Sequence, residues 1–220
     1  GNQLFPWATG YAISKDNGLD FCISSKTVRG NLDIMSLDLG TPLCREGVFA
    51  DLYRRSTKLA KFRAASGLGL VLEESSHRFD SRIQKAKPGQ TLRGYFQSWK
   101  YFDHHQEAIR EKVRTLRSPS KEFLRLKEEL SGSEWVAVHV RGGDYRKHTD
   151  IFLELRAEYY RNASNLVAEK IPNPRFVLFS DDPEYAATKC DFMDDFVGAD
   201  RLPDPAESLV LAMHANAFIG

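Results

Sequence analysis

The chain has 220 residues, 42% hydrophobic and 28% charged, with 31 Lys and Arg against 30 Asp and Glu, so its formal net charge is only +1. That composition belongs to a globular protein and excludes disorder and collagen-like repeats, while a near-neutral balance supplies no bulk field to hold nucleic acid or an anionic membrane. Any anion this protein binds must be held by a few local charges.

Apolar Leu4, Phe5, Ala8, Tyr11 and Ala12 recur at helical spacing, and Gly18 follows where a helix end favours positive φ, so a helix is predicted over residues 3–17. Pro6 is tolerated there because it lies in the first turn. Residues 19–24 read as a short strand, and a helix over 48–65 and an apolar run at 68–72 follow, with loops at Gly40-Thr41-Pro42 and Pro88-Gly89. The segment 94–102, Gly-Tyr-Phe-Gln-Ser-Trp-Lys-Tyr-Phe, sets rings beside polar groups. Such a composition suits a core strand leading into a helix or the wall of a sugar site.

Helices are predicted over 104–117 and 119–130, the second with Ser118 as N-cap and Pro119 as its first residue, and Ser131-Gly132-Ser133 breaks the pattern. A regular alternation comes next: strand 135–140, helix 152–169, strand 175–180, a helix from Pro183, strand 192–197, helix 206–214 and a strand from Ala217. The βαβαβαβ order implies an α/β fold with a parallel sheet covered by helices, whose ligands lie beyond the carboxyl ends of the strands.

Cys22, Cys44 and Cys190 are widely separated and odd in number, without CxxC spacing or a histidine at metal-ligand spacing. That pattern argues against a disulfide framework and against a zinc site. The apolar runs at 135–140 and 176–179 are far shorter than the ~20 residues a membrane helix needs. The first residue is Gly1, not Met, so a preceding segment is expected.

The sharpest local feature is His139-Val140-Arg141-Gly142-Gly143-Asp144-Tyr145, at the carboxyl end of a predicted strand. A guanidinium offers forked donors that suit phosphate oxygens, and paired glycines let backbone N–H groups approach an anion closely. His139 can donate to or accept from a base or phosphate, and Asp144 can accept a proton or orient a hydroxyl. A tight turn carrying an Arg141–Asp144 ion pair fits the same residues. Phe179-Ser180-Asp181-Asp182 ends the next strand, where an aspartate can cap the helix at Pro183, hydrogen-bond a nucleoside or, less suitably for adjacent acids, hold a divalent metal. Glu207 falls in the first turn of a helix, where the dipole favours it whatever its role.

Asp194-Asp195 reads as solvated. His104 and His105, if helical, point about 100° apart, which argues against a shared metal. Asn162-Ala163-Ser164 fits a glycosylation sequon but falls inside a predicted helix. No GxGxxG, GxxxxGK[ST] or GxSxG sits in a strand-turn-helix setting, which weighs against a dehydrogenase, a P-loop NTPase and an α/β hydrolase.

At these residues the sequence resembles the family 11 glycosyltransferases, the α-1,2-fucosyltransferases. Gly1-Asn2-Gln3-Leu4-Phe5 is similar to the tail of their glycine-rich opening, residues 94–102 to their G-Y-[FW]-Q-S-x-K-Y-F segment, and 139–145 to their H-x-R-R-G-D-Y motif. Phe179 to Asp182 matches their F-S-D-D, and Pro205 to Leu209 with Met213-His214 resembles the segment that leads to an F-S-W-W sequence. Gly142 stands where the family has a second arginine, and Pro6-Trp7 replace a Gln-Tyr pair. The family's leading strand and its F-S-W-W block are expected beyond the ends of this chain.

The resemblance implies a GT-B arrangement of two Rossmann-like domains facing a cleft, an acceptor-side domain over 1–130 and a GDP-fucose-binding domain over 131–220. It implies inverting transfer of L-fucose from GDP-β-L-fucose to the 2-hydroxyl of a galactose-containing glycan, with no metal and no cofactor. Carried over residue by residue, Arg141 meets the diphosphate, Asn2 reaches the diphosphate or fucose, His139 and Glu207 hold the guanosine, and Asp181 or Asp182 helps at the nucleoside. Asp144 is the nominee for assisting deprotonation of the acceptor, and Tyr95, Gln97 and Trp99 are the acceptor-side candidates. Gly142 favours an alternative, a GDP- or glycan-binding pseudoenzyme of the same fold. A bacterial cytoplasmic enzyme is expected, or else a Golgi-lumen one whose anchor lies outside this chain. Membrane association would come only through such a segment or a lipid-linked acceptor.

Overall fold

The computed structural model describes residues 2–24, 33–44, 71–143, 153–193, 195–198 and 201–220, for 195–198 the backbone only. It divides into two compact units, Gly1–Val113 and Arg114–Gly220.

The first unit opens with α1, Leu4–Asn17, in place of the helix expected over 3–17. It is buried on every side from Trp7 to Ser14, and it stops where Gly18 takes φ 62° and donates its N–H to Ser14 O. Trp7 Nε1 donates to Thr41 Oγ1 at 2.9 Å, which anchors the helix to the 33–44 segment. Only the end of the strand expected over 19–24 pairs: β1, Ile23–Ser24, runs parallel to β2, Leu43–Cys44. A second parallel pair joins β3, Val71–Glu73, to β4, Thr91–Arg93. Ile13, Leu72, Ile83, Ala86, Phe96 and Tyr101 form the core between them. The predicted helix over 48–65 lies outside the described residues, and residues 71 and 72 of the apolar run open β3. The helix expected from His104 begins as a 3-10 turn, Asp103–His105, and continues as α2, Gln106–Val113, where the unit ends.

One sequence expectation is overturned here. Cys22 and Cys44 form a disulfide, with Cα atoms 5.6 Å apart across the β1–β2 pair. Spacing along the chain gave no sign of it because parallel pairing brings together residues 22 apart, and the odd count arises from Cys190, which is free and buried. Burial pushes the Cys190 thiol up to about 11, so it behaves as a small hydrophobe.

The second unit begins ahead of the Ser131-Gly132-Ser133 break. Helix α3, Lys121–Ser131, therefore belongs with the C-terminal sheet. Its N-cap is Ser120, two residues beyond the expected Ser118, and Ser120 Oγ accepts from Phe123 N at 3.0 Å. After it come β5, Trp135–Val140; α4, Ala157–Ala168; β6, Arg175–Ser180; α5, Pro183–Lys189; β7, Asp195–Gly198; α6, Pro205–Ala212; and β8, Ala217–Ile219. The four strands are all parallel, as the alternation predicts, in the order β7-β6-β5-β8, and β7 begins at Asp195, three residues after the start expected for it.

Two-residue periodicity divides the sheet. Val136, Val138, Val140, Leu178 and Ile219 pack with Tyr160, Ala186 and Cys190 into one core, while Trp135, Ala137, Val177 and Phe179 are buried on the other face. Both faces are covered, as parallel sheets require.

Two stability measurements follow. Reduction, or Cys22→Ser, is expected to lower the stability of the first unit by about 3 kcal/mol, the chain-entropy value for a loop of this size, read as a lower denaturant midpoint. Thiol titration of the denatured chain should count one free thiol before reduction and three after it. Asp80, buried and bonded to Arg82 Nη2 at 2.5 Å and to Ser75 Oγ at 3.1 Å, has its carboxyl held down at about 2, chiefly by the Arg82 hydrogen bonds working against burial. Because that value lies below the ordinary 3.8, the stabilisation is complete above about pH 4 and is lost as pH falls through 2. Asp80→Asn is therefore expected to cost about 2 kcal/mol at neutral pH and to flatten the acid limb of an unfolding series.

Candidate functional site

In the second unit the site is built on the register of β5 with β6, which sets Val140 opposite Ser180. Ser180 Oγ donates to Val140 O at 2.7 Å and accepts from Asp182 N at 3.0 Å, so one hydroxyl ties the ends of both strands together. Beyond that tie, Asp181 turns toward the neighbouring loop. Its Oδ1 accepts from Gly142 N at 2.8 Å, and its Oδ2 lies 3.3 Å from Arg141 Nη1. A backbone N–H and a guanidinium thus converge on a single carboxylate.

Asp182 does the capping that the sequence allowed to either aspartate, with Oδ1 accepting from Tyr185 N at 3.1 Å in the first turn of α5. His139, next to the end of β5, is half-buried. Burial pushes its imidazole below the ordinary value, Asp181 pulls the other way and Arg141 adds to the lowering. The ring is therefore neutral at pH 7 and able both to donate and to accept.

The predicted residues do not all meet. Glu207 is 4% exposed and its two oxygens accept from Ser120 N at 2.5 Å and Ser120 Oγ at 2.8 Å, which fastens α6 to the cap of α3. Asp144 and the Arg141–Asp144 pairing lie outside the described residues. Among the described residues Arg141 pairs with Asp181. The sequon at 162–164 lies within α4 with Ser164 buried.

In the first unit Gln97 Nε2 donates to Asn2 Oδ1 at 3.2 Å, so two predicted residues 95 positions apart are in contact. Tyr95 and Trp99 are 56% and 60% exposed, Tyr95 with its ring 5.5 Å from that of His77 and Trp99 with Lys100 Nζ 6.0 Å away. Sequence reasoning missed the group that holds this segment. Glu74 accepts from Tyr95 N at 3.1 Å, Phe96 N at 2.9 Å and Tyr101 OH at 3.0 Å. A glutamate at the end of a three-residue strand carries no motif, and only the positive φ of Phe96, 50°, marks the bend it supports.

Against known families, residues 84–219 match the model of glycosyl transferase family 11. The chain belongs to this family. The match spans the Gly94 to Phe102 segment, the Arg141 loop and the whole β5–β8 sheet. No curated protein and no solved structure matches the chain. Membership makes this chain a glycosyltransferase of α/β fold, a class that transfers a sugar from a nucleotide-sugar donor to a glycan acceptor and releases the nucleotide.

Gly142, the departure from the family's second arginine, stands close against its neighbours. A Cβ added there would stand 2.5 Å from Asp182 Cβ and 3.2 Å from Tyr185 Cδ1. The first of these atoms is fixed to backbone and cannot swing aside. Gly143 is more tolerant, because its Cβ would meet only the end of the Asp181 side chain, at 2.7 Å. Gly142→Ala is accordingly expected to destabilise the chain by roughly 1–3 kcal/mol, the ordinary cost of overpacking, and Gly143→Ala by less; denaturant midpoints of the two variants check the order.

Proposed function

We propose that this protein transfers L-fucose from GDP-β-L-fucose to the 2-hydroxyl of a galactoside, with inversion, in a GT-B arrangement. The observation that carries the reading is the convergence of Arg141 and Gly142 N–H on the Asp181 carboxylate at the carboxyl end of a parallel strand. A loop that grips one anion in this way has the donors a departing diphosphate needs, and Asp181 occupies the place of that anion.

As the acceptor oxygen attacks C1 of fucose, the bond from C1 to the β-phosphate oxygen breaks, the electron pair leaves with GDP and the ring gains positive charge. A guanidinium and an N–H already in place for the departing charge lower the barrier without reorganising water. The hydroxyl proton passes to a carboxylate, for which Asp144 is the nominee, or to the phosphate itself. His139, neutral and half-buried, suits a guanosine edge. Asn2 is the donor-side nominee in the first unit, and Tyr95, Gln97 and Trp99 are its acceptor-side nominees. The bonds from Ser120 support a bracing role for Glu207, which fixes α6 while His139 and Asp181 meet the nucleotide. Asp181 and Asp182 are both committed to backbone N–H groups, which supports a donor site without metal.

Two further features bear on setting. The Cys22–Cys44 bond supports an oxidising compartment such as the Golgi lumen over a reducing cytoplasm. Among the described residues no helix is long and apolar enough to cross a membrane.

A second reading, a pseudoenzyme that binds GDP or a glycan without turnover, is favoured by one observation, the approach of Asp182 to Gly142 that leaves no room for an arginine at that position. Calorimetric titration with GDP together with GDP release on galactosides separates the two, since binding without release selects the pseudoenzyme. Under the transferase reading Arg141→Ala should lower turnover by ~100-fold or more while circular dichroism and thermal midpoint stay at parent values. Arg141→Lys, which keeps the charge but not the fork, should fall between. Turnover near the parent rate in Arg141→Ala would remove Arg141 from the reaction.

A further inference from the structure

The sequence argues that His104 and His105 diverge, yet both imidazoles reach one carboxylate. Asp16 stands in the last turn of α1, and its Oδ2 lies 2.9 Å from His104 Nε2 while its Oδ1 lies 2.8 Å from His105 Nε2. Divergence of adjacent side chains was reckoned from a single helix. Here the acceptor comes from a second element and sits between the rings, whose centroids are 4.4 Å apart.

We propose that Asp16, His104 and His105 form a binding site for a divalent transition-metal ion of the zinc and cobalt class. Two imidazole nitrogens and one carboxylate oxygen are the donor set that such ions prefer, whereas Mg²⁺ and Ca²⁺ prefer oxygen alone. The three ligand atoms lie within 4.8 Å of one another. A tetrahedral ion about 2.0–2.1 Å from each sets its ligands roughly 3.3 Å apart, so binding draws the two rings and one carboxylate oxygen around a common centre. Each histidine that donates from Nε2 becomes a ligand by carrying its proton on Nδ1 instead.

The surroundings favour the ion. The C-terminal end of α1 presents the negative end of its dipole. The His105 ring packs edge-on against Tyr11, centroids 6.0 Å apart, which fixes its orientation as an outer shell does in metal centres. Asp16 and His104 side chains are 38% and 48% exposed, which leaves an entry path and room for water in the fourth position.

The consequence is structural. Phe5 meets Phe102 and Tyr11 meets His105 along the same side of α1, and an ion at Asp16 closes that contact at the helix's far end. Asn2 stands at the opposite end, so the ion clips the helix that presents it.

The test is a Co²⁺ titration of the full chain, read by visible d–d absorption and followed by displacement with Zn²⁺. One saturable ion per chain with tetrahedral band intensity is expected, and Asp16→Asn and His104→Gln should each weaken it at least ten-fold with circular dichroism unchanged. On the parent chain, Zn²⁺ should shift the imidazole nitrogen resonances of His104 and His105 ahead of the other four histidines. No Co²⁺ band, bands equally strong in both variants, or first shifts at other histidines would each overturn the site.

Discussion

The register of β5 against β6 is the constraint from which the geometry of the Arg141 loop follows. With Val140 opposite Ser180, the two chain segments leave the sheet side by side, and the Ser180 hydroxyl bonds across the gap before either turns away. Asp181 is then within reach of Gly142 N–H and Arg141, and Asp182 is set to start α5. A slip of one residue would send His139 to the valine-rich core face and separate Asp181 from the loop it holds. Burial on both faces of the sheet forbids that slip, so the hydrophobic core and the anion-gripping loop are specified by the same pairing.

The first unit solves a different problem, that of displaying aromatic side chains without a regular element to carry them. Three donors meet on Glu74, two from the backbone at Tyr95 and Phe96 and one from Tyr101, whose hydroxyl also accepts from Asp80 N at 2.8 Å. Phe96 and Tyr101 turn inward to the core while Tyr95 and Trp99 face out. Burial pushes the Tyr101 hydroxyl up to about 12, so it stays protonated and keeps its bond to Glu74. Outward rings held in place by such a network suit the flat faces of sugars, the property on which the acceptor-side proposal for this segment rests.

The second unit was largely legible in the sequence because its elements are long and their signals agree. Strands 135–140 and 175–180 appear with the same bounds, Pro183 and Pro205 begin their helices, and the alternation forces a parallel sheet. Legibility failed where structure depends on meetings between distant residues. Nothing in a local window pairs Cys22 with Cys44, gives Ser120 to Glu207 and so moves a helix cap, or brings Asp16 between two histidines nearly ninety positions away. The functional motifs split along the same line. Arg141, Gly142 and Asp181 converge because they end adjacent strands, whereas Glu207, chosen by likeness, proves to be committed to the framework.

The approach of Asp182 to Gly142 bears on how such a loop can change over descent. Once the aspartate's β-carbon has moved into the space over residue 142, a single codon change to arginine meets a wall of backbone-anchored atoms. The start of α5 would have to retreat first, and that start is pinned by Ser180 and by the cap at Tyr185. In this chain an arginine at residue 142 therefore requires the helix start to be rebuilt and not a change of one side chain.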